Sequence, residues 1–199
     1  MGQGSPGSSD ARFTRLLLVI GAAGAVTIAG AIFAWQHDTF YVTELEPQTA
    51  ITSYWMVRDG SGPLTSETPI FGAPWRIPFE LPLFQYLAAQ LSRVGIGLDH
   101  AGRIVSGLLF LLCLPVMARI ADRVGLTDAQ RNALLALAIT SPIYVTYAFA
   151  FSIESTALLL SLLYVERWIA WERDRSPWSL LFSVLAGLLA AACKTTTWA

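Results

Sequence analysis

The sequence predicts an all-α polytopic membrane protein, with about five transmembrane helices and an outer loop carrying juxtamembrane helices. Three observations predict it. The 199-residue chain is 54% hydrophobic and only 14% charged, whereas soluble domains carry about 25% charged residues. Apolar runs near the length needed to cross a bilayer, about 20 residues, recur along the chain. The basic residues gather in short segments between those runs: Arg12 and Arg15, then Arg119, Arg123 and Arg131, then Arg167, Arg173 and Arg175. Net charge is −1, which gives no basis for nucleic-acid binding. Cys113 and Cys193 fall inside apolar runs and read as small core residues. With His37 and His100 far apart, the residues form no recognisable metal-ligand set. Divalent-metal dependence stays open.

Residues 1–15, MGQGSPGSSDARFTR, form a Gly/Ser-rich tail expected to be disordered and cytoplasmic. The first span is Leu16 to Trp35. A signal peptide is the rival reading, but the apolar stretch exceeds the usual ~7–15 residues of such a core, and an uncleaved anchor is favoured. Further spans are expected at 102–118, 132–151, 155–171 and 177–195. Basic loops stay in the cytoplasm. That rule puts the N-terminus inside and the segment after the first span outside, in the plasma or inner membrane. The alternation closes only if residues 81–99 do not cross. The segment LPLFQYLAAQLSRVGIGLD sets Gln85, Ser92 and Arg93 against Leu83, Phe84, Leu87 and Leu91, the pattern of a helix lying at the interface. Within the third span, Ser141-Pro142 marks a kink, because proline removes a backbone hydrogen bond.

The outer segment covers 36–101, and its loop proper 36–80. Aromatic residues fill it, and Thr49 to Val57 is expected to form a short helix after Pro47, with Gly60, Gly62 and Pro63 turning the chain afterwards. Glu44, Glu46, Glu80, Glu154 and Lys194 all fall on the outer side in this topology. Charges at a membrane boundary are costly unless something uses them. Glu44 and Glu46 also suit the electrostatics of a helix start, as does Glu80. Lys194 also suits snorkelling to the interface. Glu154 is flanked by apolar sequence, AFAFSI before and STALLL after, so it calls for a partner or a watery cavity.

The order of these elements resembles the GT-C superfamily of membrane glycosyltransferases, in particular the branch of protein O-mannosyltransferases and the lipid A aminoarabinose transferase. The resemblance runs over about residues 12–199. Glu44 stands where the family has the Asp of an Asp-Glu pair, about seven residues before an apolar helical position, here Ile51. The family Glu is replaced by Leu45, with Glu46 one place on. Leu81-Pro82-Leu83-Phe84 is similar to the family's Pro-Pro-Leu-Tyr element. The basic residue usual before it is Glu80 here, with Arg76 a nearby substitute. Gly102-Arg103-Ile104-Val105-Ser106 matches Gly-Arg-Leu-Val-Ser. Glu154 follows Ser141-Pro142 and Tyr147-Ala148 where the family carries an Asp, and Lys194 fits its Thr-Lys.

The resemblance implies sugar transfer from a polyprenyl-phosphate donor to a glycan, lipid or protein acceptor outside the membrane, with inversion. No further cofactor is implied with certainty. Glu44 or Glu46 would be the base, and Arg76, Glu80, Glu154 and Lys194 would bind substrate. Family members have more spans, so the chain is expected to be the N-terminal part of a longer enzyme. A non-catalytic membrane scaffold or subunit and a lipid-linked-sugar transporter are the alternatives.

Overall fold

The computed structural model describes residues 45–67 and 80–194, together with Leu18, Gly21, Ala22, Gly24 and Ala25. The expected first span therefore lies largely outside the described residues, as do Glu44 and Arg76. Among the described residues the regular structure is helical throughout. The helices are α1 (Leu45–Asp59), α2 (Leu83–Arg93), α3 (Leu98–Arg123), α4 (Asp128–Thr140), α5 (Pro142–Phe149), α6 (Glu154–Asp174) and α7 (Pro177–Cys193).

Among the described residues, only α3 is by itself long and apolar enough to cross a membrane. Its 26 residues rise about 39 Å at 1.5 Å each. The expected span at 132–151 is broken. Helices α4 and α5 meet at Ser141-Pro142 with a bend of 60°, and they qualify only if counted as one broken span. The proline ring forbids the preceding residue a helical conformation, and Ser141 is extended, with φ −63° and ψ 124°. Helix α7 is apolar but has 17 residues. Helix α6 is long enough, but Glu154, Glu166, Arg167, Glu172 and Arg173 interrupt it.

The turns follow from local chemistry. Thr127 caps α4: its hydroxyl accepts from the Gln130 backbone N–H, and the Gln130 side chain accepts from Thr127 N at 2.9 Å. This reciprocal capping box satisfies two donors the helix start would otherwise leave open. Thr127→Ala is expected to cost about 1 kcal/mol, read as a lower melting temperature of the detergent-solubilised protein. Arg175, at φ 49°, ends α6 in the left-handed conformation, and Pro177 opens α7. The resulting hairpin runs α7 antiparallel to α6. Ser183 Oγ donates to Tyr164 O at 3.0 Å across it.

Helices α3 and α6 run parallel. The N-terminal turns of α3 touch the turn before α6, and Arg123 near the end of α3 reaches Glu166. The bundle thus has two chemically distinct ends. At one, Glu166 is fully buried and accepts from Arg123 Nε at 2.9 Å and from Arg167 Nη2 at 2.7 Å. Arg173 donates to the Arg123 carbonyl. Asp122 accepts from Arg131 at 2.8 Å and holds that guanidinium above the usual arginine range.

At the other end lies the core cluster of Phe84, Ala88, Val105 and Phe151, with Ala50, Leu91 and Ile153 against it. It joins α1, α2 and α3 to the turn at 150–153. Helix α2 is a separate short helix, but its polar face differs from the sequence reading. Gln85 is buried alongside Phe84, Ala88 and Ala89, while Leu87 is 37% exposed. The reason is that α2 is covered by protein: α1 packs on it, and Arg93 donates to the Met56 carbonyl. Helix α1 begins earlier than Thr49, and Pro47 is accommodated in its first turn, where no intrahelical donor is needed.

Candidate functional site: a charged pair in the lining of an apolar cleft

Glu154 and Lys194 form an ion pair. Forty positions apart in the chain, they sit at the first residue of α6 and the residue after α7, and the hairpin brings them level. Each side chain is about one-fifth exposed, at 20% and 21%. The carboxylate is held on both oxygens. Lys194 Nζ donates to Oε1, and Ser152 Oγ donates to Oε2 at 2.6 Å. In a low-dielectric surrounding such charge-assisted bonds are stronger than in water.

The turn presenting Glu154 is fixed by the Gly-Arg-x-x-Ser element of α3. Ser106 Oγ donates to Ala150 O at 2.6 Å. Arg103 is buried, paired with Asp99 at 2.9 Å, with its Nη1 at 3.5 Å from Phe149 O. Gly102 gives the Phe151 ring its place: a Cβ there would come within 2.2 Å of that ring. The ring in turn meets Phe84 edge-on, centroids 5.5 Å apart. The motif that sequence reading takes as a family signature is therefore a clamp on the turn at 149–153.

Glu80 joins the same end. The Leu81 N–H donates to Ala192 O at 2.7 Å, which ties the residue after Glu80 to the last turn of α7, two residues before Lys194. Glu46 falls in the first turn of α1, and Ala50, one turn later, packs on the cluster that holds Phe151. Three of the expected site residues, Glu80, Glu154 and Lys194, thus gather at one end, and the helix bearing Glu46 packs through Ala50 on the cluster at that end. The expected roles of Glu44 and Arg76 lie outside the described residues.

Between the bent α4–α5 pair and α6 lies a cleft of about 490 Å³, within the size range of ligand pockets. Glu154 and Lys194 stand in its lining, and the rest is mainly apolar or aromatic, including Phe110, Ile143, Tyr144, Tyr147 and Leu158. One face of α6 supplies Glu154, Ala157, Leu158 and Ser161, the i, i+3, i+4, i+7 stripe of a helix. The Ser161 hydroxyl is buried and unsatisfied. The bend at Ser141 turns α5 away from the line of α4, and residues of both helices line the cleft.

Sequence reasoning missed Ser152, Ser161 and Tyr144, and met Tyr147 only as part of a motif. Hydroxyl and aromatic residues in apolar helices are common, and only the folded arrangement brings them to one cavity. No metal-binding cluster occurs among the described residues. Comparison with protein-family models, curated proteins and solved structures finds no match for this chain.

Proposed function

We propose that the chain belongs to a GT-C-like membrane glycosyltransferase that takes a sugar from a polyprenyl-phosphate donor. In this reading the chain is polytopic, with about five spans, its N-terminus in the cytoplasm and the Glu154–Lys194 end outside. The observation that carries the reading is a largely buried ion pair in the lining of a mainly apolar cleft. An apolar cleft suits a hydrocarbon tail, and an ammonium in its lining suits a phosphate. The placing of charges agrees with it: Arg123, Arg131, Arg167 and Arg173 gather at one end, and Glu80, Glu154 and Lys194 at the other, where Arg103 is held in its own pair with Asp99.

The chemistry is the one that the resemblance implies. A carboxylate, Glu44 or Glu46, takes the proton of an acceptor hydroxyl. The hydroxyl oxygen bonds to the anomeric carbon as the bond from that carbon to the phosphate oxygen breaks. The phosphate leaves with the electron pair, and the anomeric centre inverts. Lys194 stands where it can offset the charge gathering on the phosphate, and preorganised cations of this kind act most strongly in a site that excludes water. Glu80 and Glu154 orient the sugar or the acceptor.

The test is transfer of radiolabelled sugar from a panel of polyprenyl-phosphate pentoses and hexoses to envelope material, in membranes containing the full chain. Lys194→Met is expected to lower transfer about 10²-fold. Transfer at the wild-type rate by that variant sinks the assignment. Donor binding without transfer in the wild type favours a scaffold or transport role.

A further inference from the structure

The Glu154–Lys194 pair stands in the lining of the cleft and engages the same ammonium that an anionic headgroup needs. We infer that the pair is a latch: a lipid phosphate entering the cleft takes Lys194 from Glu154, and the carboxylate, still held by Ser152, is freed of its cation. This rests on the donor reading above and adds how the site is held before the donor arrives.

Three observations carry it. First, the cleft and the pair are continuous, since Glu154 and Lys194 both line it. A ligand filling the apolar part places its polar head at these two residues. Second, the pair is mostly withdrawn from water, each side chain about one-fifth exposed. An anion arriving at Lys194 meets a carboxylate on the same ammonium, and two like charges at that spacing repel strongly where water is scarce. The carboxylate and the phosphate therefore compete. Third, Glu154 has a second hold. Ser152 donates to its Oε2 at 2.6 Å, and the turn bearing both is clamped by Ser106 and by the Phe151 ring. Losing Lys194 leaves the carboxylate anchored by Ser152 in the cleft lining and available to a hydroxyl of the sugar or acceptor. A site without donor keeps both charges neutralised; a site with donor exposes the carboxylate only when the leaving group is in place.

The experiment measures equilibrium binding of farnesyl phosphate, with farnesol as its uncharged counterpart, to the full chain in lipid nanodiscs. The wild type is expected to prefer the phosphate. Lys194→Met is expected to bind the two alike. Glu154→Gln keeps an acceptor for Ser152 but drops the charge. It is expected to bind farnesyl phosphate about tenfold more tightly than the wild type, the scale of one partly buried ion pair no longer broken on binding. The double variant is expected to match Lys194→Met. Glu154→Asp, whose shorter side chain reaches Lys194 less well, is expected to shift in the same direction, and it serves if the glutamine variant does not fold.

Farnesyl phosphate binding that is equal or weaker in Glu154→Gln, while Lys194→Met has lost the phosphate preference, overturns the latch and leaves the donor reading standing. A wild type that binds farnesyl phosphate and farnesol alike overturns both.

Discussion

Replacing Gly102 with valine is expected to cost more than 3 kcal/mol, above the usual range of about 1–3 for an overpacked core, and to disable the site. Even the first added carbon would lie 2.2 Å from two atoms of the Phe151 ring and 2.8 Å from a third. The ring cannot retreat: it is 1% exposed and packs against Phe84, Ala88 and Val105. The strain passes instead to the turn at 149–153, which α3 holds through the Ser106 bond to Ala150 O. Glu154 begins the next helix, so the pair with Lys194 should loosen as well. Thermal unfolding in detergent reads the loss. Phe151→Leu combined with Gly102→Ala is expected to recover part of it, because contacting sites are coupled rather than additive. A Gly102→Val protein that melts with the wild type would mean that the turn is not seated on α3.

Removing the buried carboxylate at the opposite end is the second large effect. Glu166→Ala leaves Arg123 and Arg167 without the acceptor they share. Breaking a buried pair from one side costs about 3–5 kcal/mol. The two guanidiniums retain 27% and 31% exposure, so solvent relieves part of the loss and about 3 kcal/mol is expected. Glu166→Gln keeps acceptor capacity without the charge and should fall between. Because Arg123 belongs to α3 and Glu166 to α6, the loss should appear as a lower melting temperature with little change in ligand binding at the far end. A large loss of farnesyl phosphate binding in Glu166→Ala, with the melting temperature unchanged, would contradict this division of labour.

Much of this was legible in the sequence, for definite physical reasons. Helices α3, α6 and α7 follow from long apolar runs, and the turn at Arg175–Ser176 from a charged stretch ending in Pro177. Glu154 and Lys194 stood out because a lone charge in apolar sequence needs a partner. That they partner each other was not read, since spacing of 40 positions carries no local signal. A usable one exists: a hairpin of helices with 21 and 17 residues brings their outer ends close to level. Gln85 was misplaced because amphipathicity alone does not say whether a helix faces lipid, water or another helix. Gly102 and Ser106 were seen as a motif, but their task depends on the turn 44 positions downstream of Ser106. The break at Ser141-Pro142 was read from proline chemistry, while its role in lining the cleft needed α6 alongside.

A cleft that holds the tail of a lipid phosphate beside the Glu154–Lys194 pair can be labelled from within. Photo-crosslinking of a polyisoprenyl phosphate bearing a diazirine in its tail, followed by peptide mapping, reads this. Labelling is expected at Ile143, Tyr147 and Leu158, which line the cleft, with competition by unlabelled farnesyl phosphate. Labelling spread over the exposed α7 face at Leu185 and Leu188, unaffected by competitor, would contradict it.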